Sequence, residues 1–377
     1  MVKLYDKNSI DLIEWATKRD GEVIRNYFEP LMKHGIKKYI KNIATDIYLL
    51  EIDDVILPIS VNTQEFTNSY VVSPYTHYIS YAKEELWELG NKHLEAFLSR
   101  LIDLIGIALQ KSNINKVVIV NNWFLSTNLY PPLSNTQITR LTEFLVAEFP
   151  QHTILFRSIN KTLHNKMIKG LKEEGYKSIM SRSIYLFNPS LPLTKRQKKA
   201  LYQDEKLVTK FNYNIKDIEK DDDYLIIENL YNQLYIDKYS INNPQFTHEF
   251  FKYTNESHLL HFKLLCQNSK IIGVTGNIIR DGVLTTPILG YVVESDKKAG
   301  LYRVLSLLIT KEILDKQYFG HRSAGASDFK RNRGSVQELE YSYFYQKHLS
   351  LISRVAWCSL KWIMDSIIVP LAKKKKF

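Results

Sequence analysis

Short apolar runs alternate along the chain with segments whose apolar residues recur every three or four positions. "IYLLEID" (47–53) and "VILPISV" (55–61) flank Asp53–Asp54, which predicts a β-hairpin. "NKHLEAFLSRLIDLIGIALQK" (91–111) sets Leu94, Phe97, Leu98, Leu101, Ile105 and Ala108 at helical spacing, which predicts one buried face. "KVVIVNN" (116–122) reads as a buried strand, Ile138–Ala147 as a helix and "HTILFRSI" (152–159) as the next strand. A further helix starts at an Asn160 cap, carries Leu163, Met167, Ile168 and Leu171 on one face, and stops at Gly175. "SRSIYLF" (181–187) closes this half as a strand. The β-α-β-α-β order implies a mixed sheet with covering helices.

"NPSLPLTKRQKKALYQDEK" (188–206) comes next, and its prolines and basic run Lys195–Lys199 suggest a connector over 191–205. Beyond it the pattern resumes. "KLVTKFNYN" (206–214) is strand-like, and "DDDYLIIENLYNQLYIDKYS" (221–240) is helical through Leu225, Ile226, Leu230 and Leu234. "THEFFKY" reads as a short helix capped by Thr247. Three strands follow: "LLHFKLLCQ" (259–267), "IIGVTGNII" (271–279) and "VLTTPILGYVV" (283–293). "GLYRVLSLLITKEILDK" (300–316) is a helix with Leu301, Val304, Leu305, Leu308 and Ile309 toward a sheet. "FGHRSAGASDF" (319–329) is strand-like and "ELEYSYFYQ" (338–346) is the last strand. The expected organisation is α/β: two tandem mixed-sheet domains at 1–190 and 206–350, then an amphipathic helix and basic tail at 351–377.

Length and composition bear this out. A chain of 377 residues suits two cores rather than one. At 45% hydrophobic and 24% charged residues, the composition is that of a globular protein. The formal net charge of +11 favours anionic partners such as phosphorylated cofactors, nucleic acid or acidic lipid, or else reflects a lysine-rich proteome. Only Cys266 and Cys358 occur, so no disulfide framework is expected, in keeping with a reducing compartment. The start "MVKLYDKNSIDLIEW" lacks a signal-peptide core, and no uncharged apolar run of about 20 residues appears, so a cytoplasmic protein is expected.

At the other end, "SRVAWCSLKWIMDSIIVPLAKKKKF" (353–377) has Trp357, Leu360, Met364 and Ile367/Ile368 on one face, then Lys373–Lys376. That pattern suits peripheral contact with an anionic membrane, or a terminal helix docked on its own domain. Motifs for nucleotide loops, serine hydrolases and zinc peptidases are missing. His258 and His261 have no third ligand nearby, so no metal is expected.

One motif narrows the choice. "FKRNRG" (329–334) resembles the Phe-Lys-Arg-x-x-Gly signature of FemAB-like and related GNAT acyltransferases, themselves built of two tandem GNAT-like halves. "DKYSINNPQF" (237–246), "LTTPILGY" (284–291) and "GLYRVLS" (300–306) read like the same branch. The resemblance covers residues 206–350, and the first half by topology only.

The resemblance implies that a donor's pyrophosphate rests on the amides opening the helix after the fourth strand. Here that turn is "ESDKKAGLYR" (294–303), which makes Lys297, Lys298, Gly300, Leu301, Tyr302 and Arg303 the expected cofactor-binding set. The GNAT loop Gln/Arg-x-x-Gly-x-Gly/Ala appears as Lys297-x-x-Gly300-x-Tyr302, whose tyrosine narrows the cradle. A plain capped helix with surface lysines is the alternative. The strand carrying Ala324, Gly325 and Ala326 is expected at the sheet centre, leaving room for substrate, with Ser323 and Ser327 as donors to a carbonyl oxygen. Lys330, Arg331 and Arg333 are expected on a short helix above it, neutralising phosphate or a developing oxyanion.

Asp328 is a candidate base or orienter, unless it only pairs with Lys330 or Arg331. Tyr345 is a candidate acid among Tyr291, Tyr341 and Tyr343, with His321 nearby. Tyr239, Asn243, Tyr291 and Gly325 are the candidate acceptor wall. The implied activity is acyl transfer from acyl-CoA to an amine or hydroxyl of a small-molecule or lipid-linked acceptor held between the halves. Alternatives are an aminoacyl-tRNA donor, or a catalytically silent RNA- or membrane-binding module.

Overall fold

The chain folds into two α/β units, each built on strands of mixed direction. The structure, a computed structural model, describes residues 2–84, 86, 92–295 and 297–370, without the side chains of 94, 352, 367 and 368. The expected roles of Leu94, Ile367, Ile368 and Lys373–Lys376 therefore lie outside the described residues. One unit holds the described residues of Met1–Ser181, Asn242–Pro244 and Glu340–Lys375; the other holds those of Arg182–Ile241 and Gln245–Leu339.

The first unit comprises β1 (Val2–Tyr5), α1 (Gly21–His34), β2 (Asp46–Ile52), β3 (Val55–Asn62), α2 (Tyr81–Glu84), α3 (Lys92–Lys111) and β4 (Val117–Val120). Then come α4 (Asn135–Glu148), β5 (Thr153–Ile159), α5 (Lys161–Glu174) and the start of β6 (Lys177–Phe187). The end of β12 (Val336–Tyr345) and α11 (Leu351–Ile363) complete it. Strands run in the order β1-β2-β3-β4-β5-β12, and only β4 and β5 are parallel, in register from Val117↔Thr153 to Val120↔Phe156. Asp53 turns the β2–β3 hairpin at φ 56°. Asn160 Oδ1 accepts from Leu163 N at 3.0 Å and opens α5, which ends at Gly175 with φ 101°, both as expected.

Two apolar layers sandwich these strands. Ile138, Leu141 and Leu145 of α4, with Met167 and Leu171 of α5, pack with Leu57, Val118 and Phe156. The second layer seats Ile102, Ile105 and Leu109 of α3 and Trp357 and Leu360 of α11 with Val117, Ile119, Leu155 and Phe344. This corrects the face expected of α3: Phe97, Leu101 and Ala108 are exposed. Trp357 and Leu360 of α11, and Met364 just past its end, pack into the unit itself.

The second unit adds α6 (Lys195–Lys210), β7 (Asn214–Lys216), α7 (Asp222–Tyr231), α8 (His248–Glu256), β8 (His261–Gln267), β9 (Lys270–Arg280) and β10 (Val283–Tyr291). It ends with α9 (Leu301–Lys316), β11 (Phe319–His321) and α10 (Ser327–Arg331). This helix and strand order is the one expected of a GNAT-like half. The order of strands across the unit is β6-β11-β10-β9-β8-β7. Only β10 and β11 are parallel, and their register stops at Thr285↔His321.

Three expectations change here. Residues 195–210, read as connector and strand, form α6 behind a Thr194–Gln197 capping box. On α7 Asp223, Tyr224, Ile227, Leu230 and Tyr231 are buried, while Leu225 and Ile226 are exposed. "SAGAS" is no strand: β11 ends at His321, and Ser323, Gly325 and Ala326 take φ of 54°, 77° and 50°. Among the described residues no helix is long and apolar enough to cross a membrane.

Candidate functional site

The second unit gathers most of the expected site around the start of α9. Gly300 is its N-cap at φ 64°, a left-handed conformation that L side chains adopt at a cost. A Cβ there would lie 2.6 Å from Leu207 Cδ1 of α6, so close packing and backbone geometry both call for glycine. The first helical bond runs from Val304 N to Gly300 O at 3.1 Å, so the amides of Leu301, Tyr302 and Arg303 precede the ladder. Lys297 and Lys298 stand exposed on the single turn Lys297–Ala299 just before the glycine. Leu301 points into the core.

Aromatic rings surround this helix start. Tyr302 lies 4.8 Å from Phe329 and 6.3 Å from Tyr291, centroid to centroid. Burial pushes the Tyr302 phenol up to about 12, so it stays a neutral donor at physiological pH. Tyr291 is raised too, by burial first and then by Tyr239, which is 54% exposed.

The cations of "FKRNRG" face inward. Arg333 joins the fully buried carboxylate of Asp204 through both Nε and Nη2, the latter 2.9 Å from Oδ1, and its guanidinium lies 3.5 Å over the Phe329 ring. Arg303 Nε donates to the same carboxylate at 2.7 Å. Two expected phosphate ligands thus share one internal counterion. Lys330 is 6% exposed, and its Nζ donates to the carbonyls of Arg322 (2.6 Å), Ser323 (3.4 Å) and Ala324 (2.6 Å). Burial, then Arg322 and Arg182, hold its pKa well below the usual lysine range. Lys330 is therefore placed to fasten the left-handed loop rather than to cover a cleft. Arg331 Nη2 donates to Asp328 at 2.7 Å.

The remaining candidates scatter. The side chain of Asp328 is 87% exposed in its pair with Arg331. Ser323 N donates to His321 Nδ1 at 3.3 Å, and Gly325 sits in open space on the exposed loop. Tyr345 and Asn243 belong to the first unit. There Tyr345 packs 5.2 Å from Tyr176, and the Asn243 carbonyl accepts from Asn42 Nδ2 at 2.8 Å.

Two residues escaped the sequence reading. Asp204 lies on the apolar stripe of α6, one turn before Leu207; an acid at such a position signals a buried cationic partner. Arg322 is buried and donates to Thr310 Oγ1 at 2.8 Å and Ser306 Oγ at 2.6 Å, tying the end of β11 to α9. Burial lowers its pKa, and its guanidinium bonds these two hydroxyls and the Ser306 carbonyl at 3.4 Å. Nothing in the local pattern around Arg322 marks it.

No protein-family model and no curated protein matches the chain. Among solved structures it is similar to that of L-PGS from Bacillus licheniformis, at 12% identity over 65% of this chain and 82% of that one, with a TM-score of 0.47. It is also similar to FemX, at 7% identity over 57% of this chain and 77% of that one, TM-score 0.44. A third is the GCN5-related N-acetyltransferase from Kribbella flavida, at 9% identity over 61% of this chain and 81% of that one, TM-score 0.33. The architecture itself rests on the strand registers and helix order described above.

Proposed function

We propose that the second unit is an acyltransferase module that holds acyl-CoA at the start of α9 and transfers the acyl group to an amine or hydroxyl. One observation carries this reading: left-handed Gly300 opens a 16-residue helix directly after exposed Lys297 and Lys298. Amides ahead of the ladder and the positive end of the helix attract phosphate, and the lysines add charge-assisted donors. The β10–β11 register stops at Thr285↔His321. Ending a ladder frees strand-edge donors and acceptors for the amide groups of the donor's arm.

In this reading the acceptor nitrogen attacks the thioester carbonyl, the C–N bond forms and the C–S bond breaks. Ser323 supplies a hydroxyl to the carbonyl oxygen. The nitrogen loses a proton and the departing thiolate gains one, so the products are the acylated acceptor and free coenzyme A.

The test is calorimetric titration with acetyl-CoA and a long-chain acyl-CoA. Lys297→Glu with Lys298→Glu changes only exposed positions and should weaken binding at least about tenfold, about 1.4 kcal/mol. Wild-type protein that binds no coenzyme A thioester sinks the reading.

A second reading, with aminoacyl-tRNA as donor, draws on the exposed Lys195, Arg196, Lys198 and Lys199 at the start of α6. Salt-sensitive binding of aminoacyl-tRNA without any coenzyme A effect would favour it.

A further inference from the structure

Helices α3 and α11 are apolar on two opposite sides, and the core of the first unit uses only one. On α3, Ile102, Ile105 and Leu109 are seated in the core, while Phe97, Leu101 and Leu104, at i, i+4 and i+7, point outward. Phe97 is 65% and Leu104 67% exposed. On α11, Trp357 and Leu360 are buried, while Leu351, Val355 and Trp362 are 76%, 61% and 66% exposed. Both helices sit on one core layer, with Val117, Ile119, Leu155 and Phe344 beneath them. They therefore cover the same face of the strands, and their outer stripes look away from it on the same side. Large apolar side chains grouped this way mark an interaction surface.

Charge selects the occupant. Exposed Lys92, Arg100 and Lys111 accompany the α3 stripe. Asp103 is paired with Lys83 at 2.7 Å and Asp365 with Lys361, while Glu95 of α3 is half-buried rather than exposed. From Leu351 to Phe377 the sequence carries six cations (Arg354, Lys361 and Lys373–Lys376) against the single acid Asp365. A second copy of the chain would bring like charges together across an isologous contact. A bilayer with anionic headgroups accepts apolar side chains and flanking cations in one plane. Trp362, an amphipathic ring, suits the headgroup level.

We propose that the outer faces of α3 and α11 form one surface that docks in-plane on an anionic membrane. This surface differs from the stripe of Trp357, Leu360 and Met364 expected from sequence, which the core consumes. It holds whether or not the second unit transfers acyl groups.

Co-sedimentation with phosphatidylglycerol/phosphatidylcholine vesicles, against phosphatidylcholine alone, tests it. Binding should be at least about tenfold stronger to the anionic vesicles and weaken with salt. Leu101→Glu with Leu104→Glu, or Val355→Glu alone, should reduce it at least about tenfold while the circular dichroism stays unchanged. Brominated lipid chains should quench wild-type emission, and Trp362→Phe should lose that quenching; the wild-type measurement decides even if a variant misfolds. Three results would overturn the proposal: wild-type protein left in the supernatant with anionic vesicles, folded variants that sediment like wild type, or a wild-type dimer that Leu104→Glu turns into a monomer.

Discussion

Arg333 grips the buried carboxylate of Asp204 from 129 residues away in sequence, with Nη2 2.9 Å from Oδ1. Arg303 shares that carboxylate, so a single acid on α6 anchors both the start of α9 and the end of the "FKRNRG" segment.

Removing that acid leaves a buried guanidinium without its counterion. Asp204→Ala should cost about 3–5 kcal/mol in urea unfolding. Arg303→Ala should cost no more than about 1 kcal/mol, because the Arg303 side chain is 38% exposed. Equal losses for the two variants would contradict the arrangement.

Among the described residues Lys330 Nζ donates to no carboxylate, only to three carbonyls of one loop. Lys330→Met keeps much of its volume and leaves those acceptors unmet, which should cost about 2–4 kcal/mol. Hydrogen exchange should quicken in residues 322–326. Unaltered exchange there would show that the loop holds itself.

Gly300→Ala meets two separate obstacles, the 64° φ and the Leu207 contact. It should destabilise by about 1–3 kcal/mol. Adding Leu207→Ala clears the clash but not the backbone strain, so the double variant should fall short of the sum of the two singles by about 1 kcal/mol. Simple additivity would show that the clash is not felt.

His152 and His348 give the first unit an acid-sensitive spot. Burial, then Lys116 and His348, lowers the His152 pKa from 6.5 to about 4, and burial lowers that of His348. In each case folding favours the neutral ring, so the unfolded chain binds more protons as the pH drops. Stability from these rings is therefore present above about 6.5 and is lost as the pH falls toward about 4. Melting temperatures across that window should decline less steeply in His152→Gln than in wild type. Parallel curves would contradict the assignment.

Much of the architecture could be read from local pattern. The Asp53–Asp54 turn, the Asn160 and Thr247 caps, the Gly175 stop and the three-strand run through β8, β9 and β10 all appear where the sequence implied them. Each depends on the sterics and hydrogen bonds of residues a few positions apart. Gly300 was legible for the same reason, as a glycine opening a helix.

The buried faces of α5 and α9 were legible in the same way, but those of α3 and α7 were not, nor was which charges would meet. The α3 and α11 sequences offer two apolar faces each, and periodicity cannot rank them; only the strands beneath choose. The apolar stripe around Asp204 signals a buried cation without saying which, Arg333 reads as a phosphate ligand, and the run "SAGAS" carries nothing that distinguishes a strand from a loop held by a lysine ammonium. Local order follows from neighbours in the chain, so the amino-acid sequence alone decided it. Burial and charge pairing depend on partners brought together from other elements, such as Asp204 and Arg333 at 129 positions apart, and folding in three dimensions settled them.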